Sequence, residues 1–142
     1  MQRVASCAIW LLVGLFPVGA QTIHDGWKWR PSPHITGADG LSGWTLDYRL
    51  PDESAQYKGE YEPMTLVIAR NGHEIRRIEG QPFVWDWTFW NDGRQVAVAR
   101  GPKHFALFCS LFDVKTGREL QRVDCYSQPP KNAPAWVRAV AN

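Results

Sequence analysis

The side chains best equipped for chemistry in this chain are few and widely spaced. His24, His34, His73 and His104 stand far apart, and none lies at a metal-ligand spacing from another His, Cys or carboxylate. His73 follows a turn and His104 opens a strand, positions where water solvates an imidazole. Asp86 sits between Trp85 and Trp87, where a carboxylate among rings could act as an acid. Strand alternation instead sets it facing water or capping a neighbouring loop. A Ser-His-Asp set can assemble from distant residues, but no nucleophile elbow, phosphate loop or paired carboxylates are present. The expectation is a protein that is not an enzyme, with no catalytic residues, metal site or cofactor.

Cys109 and Cys125 belong to no Cys-x-x-Cys pair, which argues against a dithiol redox centre or a zinc knuckle. In an oxidising compartment they read as one disulfide. Closing a loop of about 16 residues would stabilise the fold by about 3 kcal/mol.

The compartment follows from the first residues. Arg3 and the amino terminus carry positive charge, Val4 to Phe16 is almost wholly apolar, and Pro17-Val18-Gly19-Ala20 ends in small residues. That is the plan of a secretory signal peptide cleaved after Ala20, implying a secreted or periplasmic protein. A spanning helix needs roughly 20 apolar residues, so no membrane span is expected after cleavage. The 142-residue chain without its first 20 residues is one domain in length. Its formal net charge of +2 includes Arg3. The basic residues form no block, so a nucleic-acid partner is not expected.

The elements that must position these residues are strands. Residues 21–43 read as an extended arm with Trp27 and Trp29 as anchors and one short strand near Trp27; a single β-rich domain follows over 44–142. From Trp44 to Leu50 apolar and polar residues alternate, giving a half-buried strand. Met64 to Arg70 is apolar on both faces, as in a central strand, and Asn71-Gly72 is a strong hairpin signal. Pairing Arg70 with His73 would set Ile68 opposite Ile75. Ile78 then falls on the other face, so the return strand is an edge or carries a bulge.

Phe83, Trp85, Trp87 and Phe89 alternate before Asn91-Asp92-Gly93, predicting a second hairpin. With Asp92-Gly93 as its loop, Phe89 faces Val96, Trp87 faces Val98 and Trp85 faces Arg100, the last as a stacking or cation–π pair. Trp44, Trp85 and Trp87 read as core. Trp90, on the opposite face against Gln95, is the ring best placed for exposure. His104 to Asp113 reads as a strand buried on both sides, and Arg118 to Tyr126 as its return. Pairing Asp113 with Arg118 turns Cys125 away from Cys109, so the disulfide requires a bulge near Asp124 or a longer loop before Leu120. Residues 134–140 read as a short C-terminal helix with Pro134 in its first turn.

Phe89-Trp-Asn-Asp-Gly-Arg-Gln-Val-Ala-Val98 and Phe112-Asp113-Val-Lys-Thr-Gly117-Arg-Glu-Leu120 resemble the rhythm of TolB-like and WD40-like β-propeller blades. The resemblance implies one four-stranded blade over 82–126 and the last two strands of another over 64–80. A closed ring needs at least four blades, and this chain is long enough for two at most. The implied fold is therefore an all-β antiparallel meander of hairpins. It is either a free-standing blade-like sheet covered by the arm and the helix, or one closed by self-association of copies. A small sandwich or partly open barrel is the competing architecture. The chain also resembles small exported bacterial proteins.

Negative chemistry with many aromatic rings points to a binding module for a protein or glycan partner. Its candidate surface is Trp90, Asn91 and Asp92, with Lys103 and His104 in the neighbouring loop. The alternatives are a carbohydrate or cell-wall binder using exposed tryptophans, and a periplasmic enzyme inhibitor.

Overall fold

A computed structural model describes residues 28–49, 61–102, 108–126 and 131–141. The leader expected over 1–20, His24, Trp27, Lys103 and His104 lie outside them. The described residues form two antiparallel sheets. The first contains β1 (Lys28–Pro31), β2 (Ile35–Thr36), β3 (Leu41–Arg49), β4 (Tyr61–Arg70) and β5 (His73–Glu79). Its order is β1-β3-β4-β5, with β2 also paired to β3. The second is a meander of β6 (Phe83–Trp90), β7 (Gln95–Gly101), β8 (Phe108–Asp113) and β9 (Glu119–Asp124). A short helix, α1 (Ala135–Arg138), follows. The fold is all-β with a short C-terminal helix, the class expected from the sequence.

Turn chemistry decides the hairpins. Asn71 and Gly72 have φ of 51° and 80°, and Asp92 and Gly93 have 55° and 77°, the left-handed values that primed turns require. Arg70 pairs with His73, Phe89 with Val96 and Trp87 with Val98, as the turn positions predict. Away from the turns bulges reset the register: one at Met64 between β3 and β4, and three that change the expected hairpin pairs. One at Ile75 moves Ile68 opposite Arg76 instead of Ile75; β5 is thus both an edge strand and bulged. Another, at Trp85, leaves Val84 opposite Arg100, so Arg100 does not pair with Trp85. The third, at Leu120, keeps the Asp113–Arg118 contact (Asp113 N to Arg118 O, 2.9 Å) yet places Cys109 opposite Val123. Two residues further on, Cys125 returns to the Cys109 face, and the disulfide forms with Cα atoms 5.8 Å apart. The required bulge exists, but near the start of β9 rather than at Asp124.

The two sheets share a core of Leu41, Leu66, Ile68 and Ile78 from the first and Val84, Val96, Val98 and Phe112 from the second. Burying each such side chain contributes about 1.5–3 kcal/mol. Close approach is allowed by Gly43, where an added Cβ would lie 2.5 Å from the Trp87 ring. The other face of the second sheet carries Ala97, Ala99, Cys109, Leu111 and the disulfide, and it is covered by Trp136 and Val137 of α1 and by Val140 just after it. The Trp136 Nε1–H donates to Gln121 Oε1 at 3.2 Å.

Because of the Trp85 bulge the aromatic wall is divided. Trp87 and Phe89, in edge-to-face contact at 5.4 Å, pack into the shared core. Trp85 and Trp90 pack against the helix-side cluster. Arg100, only 4% exposed, ties the sheets together. It donates to Glu79 O (3.1 Å) across the core, and to Ser110 Oγ (2.9 Å) and Glu119 Oε2 (3.2 Å) within its own sheet. Its guanidinium lies 5.0 Å from the centre of the Phe112 ring, and that aromatic partner replaces the predicted Trp85.

Candidate functional site

The alternating run in β3 does define a shared face for Trp44, Leu46 and Tyr48, but that face points away from the shared core. Leu41 and Gly43 occupy the inner face, against the second sheet. Outside, Trp44, Leu46 and Tyr48 cluster with Val67 and Met64. The described part of the arm then folds back along β3. Trp29 pairs with Tyr48 and Pro31 with Leu46, while Ile35 and Thr36 pair with Gly43 and Ser42. Ser32 clamps the corner between these two segments: its N–H donates to Thr45 O, and Thr45 N–H donates to Ser32 Oγ, both at 2.8 Å. Past Pro33 the chain lays His34 flat on Trp44, with ring centres 4.1 Å apart and planes 7° from parallel.

The result is a groove of about 450 Å³ across the outer face of the first sheet. Trp29 and Pro31 from β1 form one wall and the His34–Trp44 stack another. Leu46, Tyr48 and Val67 line it further, and Glu74 and Arg77 from β5 close the far side. Three strand spacings separate β1 from β5, about 14 Å. Trp29 is 59% exposed, the most open large apolar side chain among the described residues. Glu74 and Arg77 meet in a two-pronged ion pair at 2.7 and 2.9 Å. Hydrogen bonding to Glu74 raises the Arg77 pKa above its ordinary value, so the guanidinium keeps its charge. Ring faces beside fixed charged donors and acceptors suit a ligand that is apolar on one side and hydroxylated on the other.

The sequence-predicted surface is arranged differently. Asn91 and Asp92 are exposed at the tip of the β6–β7 turn, and Asn91 is engaged by Arg94, which donates to its O at 3.2 Å and its Oδ1 at 2.7 Å. Trp90 is half-buried and packs towards the α1 side, so among the described members of that surface Asn91 and Asp92 alone project together. Asp86 is exposed and accepts a hydrogen bond from Trp87 N–H at 2.7 Å. Among the described residues no group of three or more His, Cys, Asp or Glu could hold a metal.

A second charged cluster surrounds Glu119. Hydrogen bonds from Arg122 (2.6 and 2.8 Å) hold its carboxyl below the usual carboxylate range, and Arg100 adds to the effect. Burial lowers the Arg100 pKa, partly offset by Glu119. This cluster faces the sheet interface and serves the packing of the two layers.

Compared with protein-family models, curated proteins and solved structures, the chain has no match. The groove must therefore be read from its own geometry. Sequence reasoning missed Trp29, His34, Glu74 and Arg77 as groove residues. The available signal was the alternation of Trp44, Leu46 and Tyr48; what it lacked was the pairing of β1 with β3, which no local pattern specifies.

Proposed function

We propose that the protein is a non-catalytic binding module whose ligand is a glycan lying across the outer face of the first sheet. The observation carrying this reading is the exposed Trp29 aligned with the His34–Trp44 stack and faced by the Glu74–Arg77 pair. Sugar rings present C–H faces to indoles and hydroxyls to charged partners, and aromatic side chains bind them at low entropic cost. The blade-like rhythm of residues 82–126 enters the same reading as scaffold: two stacked meanders that leave one sheet face for ligand.

The disulfide supports placing the protein in an oxidising compartment. No helix among the described residues is long and apolar enough to cross a membrane. Export with cleavage after Ala20 belongs to the same proposal, and the mature protein should begin at Gln21 by N-terminal sequencing.

Titration with a panel of cell-wall oligosaccharides, followed by tryptophan fluorescence and calorimetry, tests the binding. At least one glycan should bind, and Trp29→Ala should weaken it roughly 10-fold, about 1.4 kcal/mol, without shifting the melting temperature. Silence across the panel, or binding indifferent to Trp29→Ala, overturns the reading.

A further inference from the structure

At one end of the two layers, three turns converge over a cavity of about 590 Å³ that is separate from the aromatic groove. Arg70 and Arg76 reach it from the first sheet, and Arg94 and Lys115 from turns of the second; Ile75 and Val114 give it an apolar floor. Four cations thus meet one lining carboxylate, Asp113. That carboxylate is already engaged by Thr116, whose N–H and Oγ1–H donate to Asp113 Oδ1 at 2.6 and 2.7 Å. Asp92, at the exposed turn tip, lies 3.8 Å from Arg94. Among the described residues the side chains of Arg70 and Lys115 enter no hydrogen bond or ion pair.

Arg76 is the informative member. The bulge at Ile75 places Arg76 opposite Ile68, on the face shared with the second sheet. A regular ladder would have put Ile75 there. The Arg76 side chain runs beneath the β8–β9 turn, since a Cβ added to Gly117 would lie 3.2 Å from its Cδ. Its Nη1–H donates to Ile75 O at 2.7 Å, yet its Nε–H is buried with no partner. The buried Nε–H fixes where the stem of Arg76 lies, the residue lines the cavity, and bulges recur where a side chain must be re-aimed.

We propose that this cavity binds a phosphomonoester, its phosphate among Arg70, Arg76, Arg94 and Lys115 and its apolar body on Ile75 and Val114. The same chemistry occurs in free organic phosphates and in a lipid headgroup, so the test has two arms. In the first, the full mature chain is titrated calorimetrically with phenyl phosphate, with phenol as the uncharged control. In the second it is sedimented with vesicles containing phosphatidic acid. Binding in the first arm alone assigns a free ligand; binding to the vesicles with it assigns a headgroup.

In either case Arg94→Gln and Arg70→Gln, both at exposed positions, should each weaken binding at least 10-fold. Arg76→Gln should do so as well, and phenol should give no heat. Lys131→Gln, an exposed cation away from the cavity, should change nothing. Absence of binding in both arms overturns the proposal. So does equal weakening by Lys131→Gln, which would mean diffuse attraction to net charge.

Discussion

Replacing Arg100 by Met removes the main polar tie between the two sheets while keeping side-chain length. Arg100 is 4% exposed and donates to Glu79 O, Ser110 Oγ and Glu119 Oε2. Breaking a buried pair by deleting one partner costs about 3–5 kcal/mol when the other charge is left stranded. Here the stranding is incomplete. Glu119 keeps its two hydrogen bonds to Arg122, and its side chain is 26% exposed, so water can reach it. Ser110 is fully buried and loses a donor, while Glu79 O loses its contact across the core. Wild-type Arg100 also carries a cost of its own, because its Nε–H is buried without a partner. The expected net loss is about 2–3 kcal/mol, a fall of roughly 10 °C in melting temperature for a domain of this size. Urea unfolding followed by tryptophan fluorescence, read at the midpoint with an unchanged slope, measures it. Arg122→Gln, which removes a half-exposed partner of the same carboxylate, should cost less than about 1 kcal/mol. If Arg100→Met unfolds within about 0.5 kcal/mol of wild type, the tie between the sheets contributes nothing net and the reasoning fails.

Two further perturbations read the same architecture. Gly43→Ala would place a Cβ 2.5 Å from Trp87, and overpacking of this kind costs about 1–3 kcal/mol; Trp87→Leu in the same chain should recover part of the loss, and a Gly43→Ala protein as stable as wild type would refute the close approach. The Glu119 pKa is held below its ordinary 4.5 in the folded state, so its contribution is present above pH 4.5 and disappears as pH falls through the folded value. The stability gap between wild type and Glu119→Gln should therefore be open at neutral pH and close in acid, and urea midpoints that keep the gap in acid would contradict it.

Local chemistry made the hairpins legible. Asn71-Gly72 and Asp92-Gly93 fixed the pairs nearest their turns, because those residues tolerate the positive φ angles that set loop length and register. Each departure further out traces to a bulge, and the sequence carries no local mark for the extra residue at Ile75, Trp85 or Leu120. The disulfide shows the difference: the cysteines demanded a shift somewhere, and only packing located it at Leu120, which is 36% exposed.

The candidate groove was harder to read. The periodicity of β3 sorted Trp44, Leu46 and Tyr48 onto one face but could not say which face met the second sheet. The Leu41 side chain and the missing Cβ of Gly43 settled that against the larger rings.

By itself, then, the sequence determined an all-β meander with its turns, its disulfide partners and the lack of any recognised catalytic motif. Those follow from backbone geometry and residue type, which act over a few positions. Tertiary structure alone decided that the arm lies along β3, that the aromatic wall divides at Trp85, and that four cations gather beneath three turns. These depend on bulges and on residues far apart in the chain, whose energies are settled only when the two sheets close on each other.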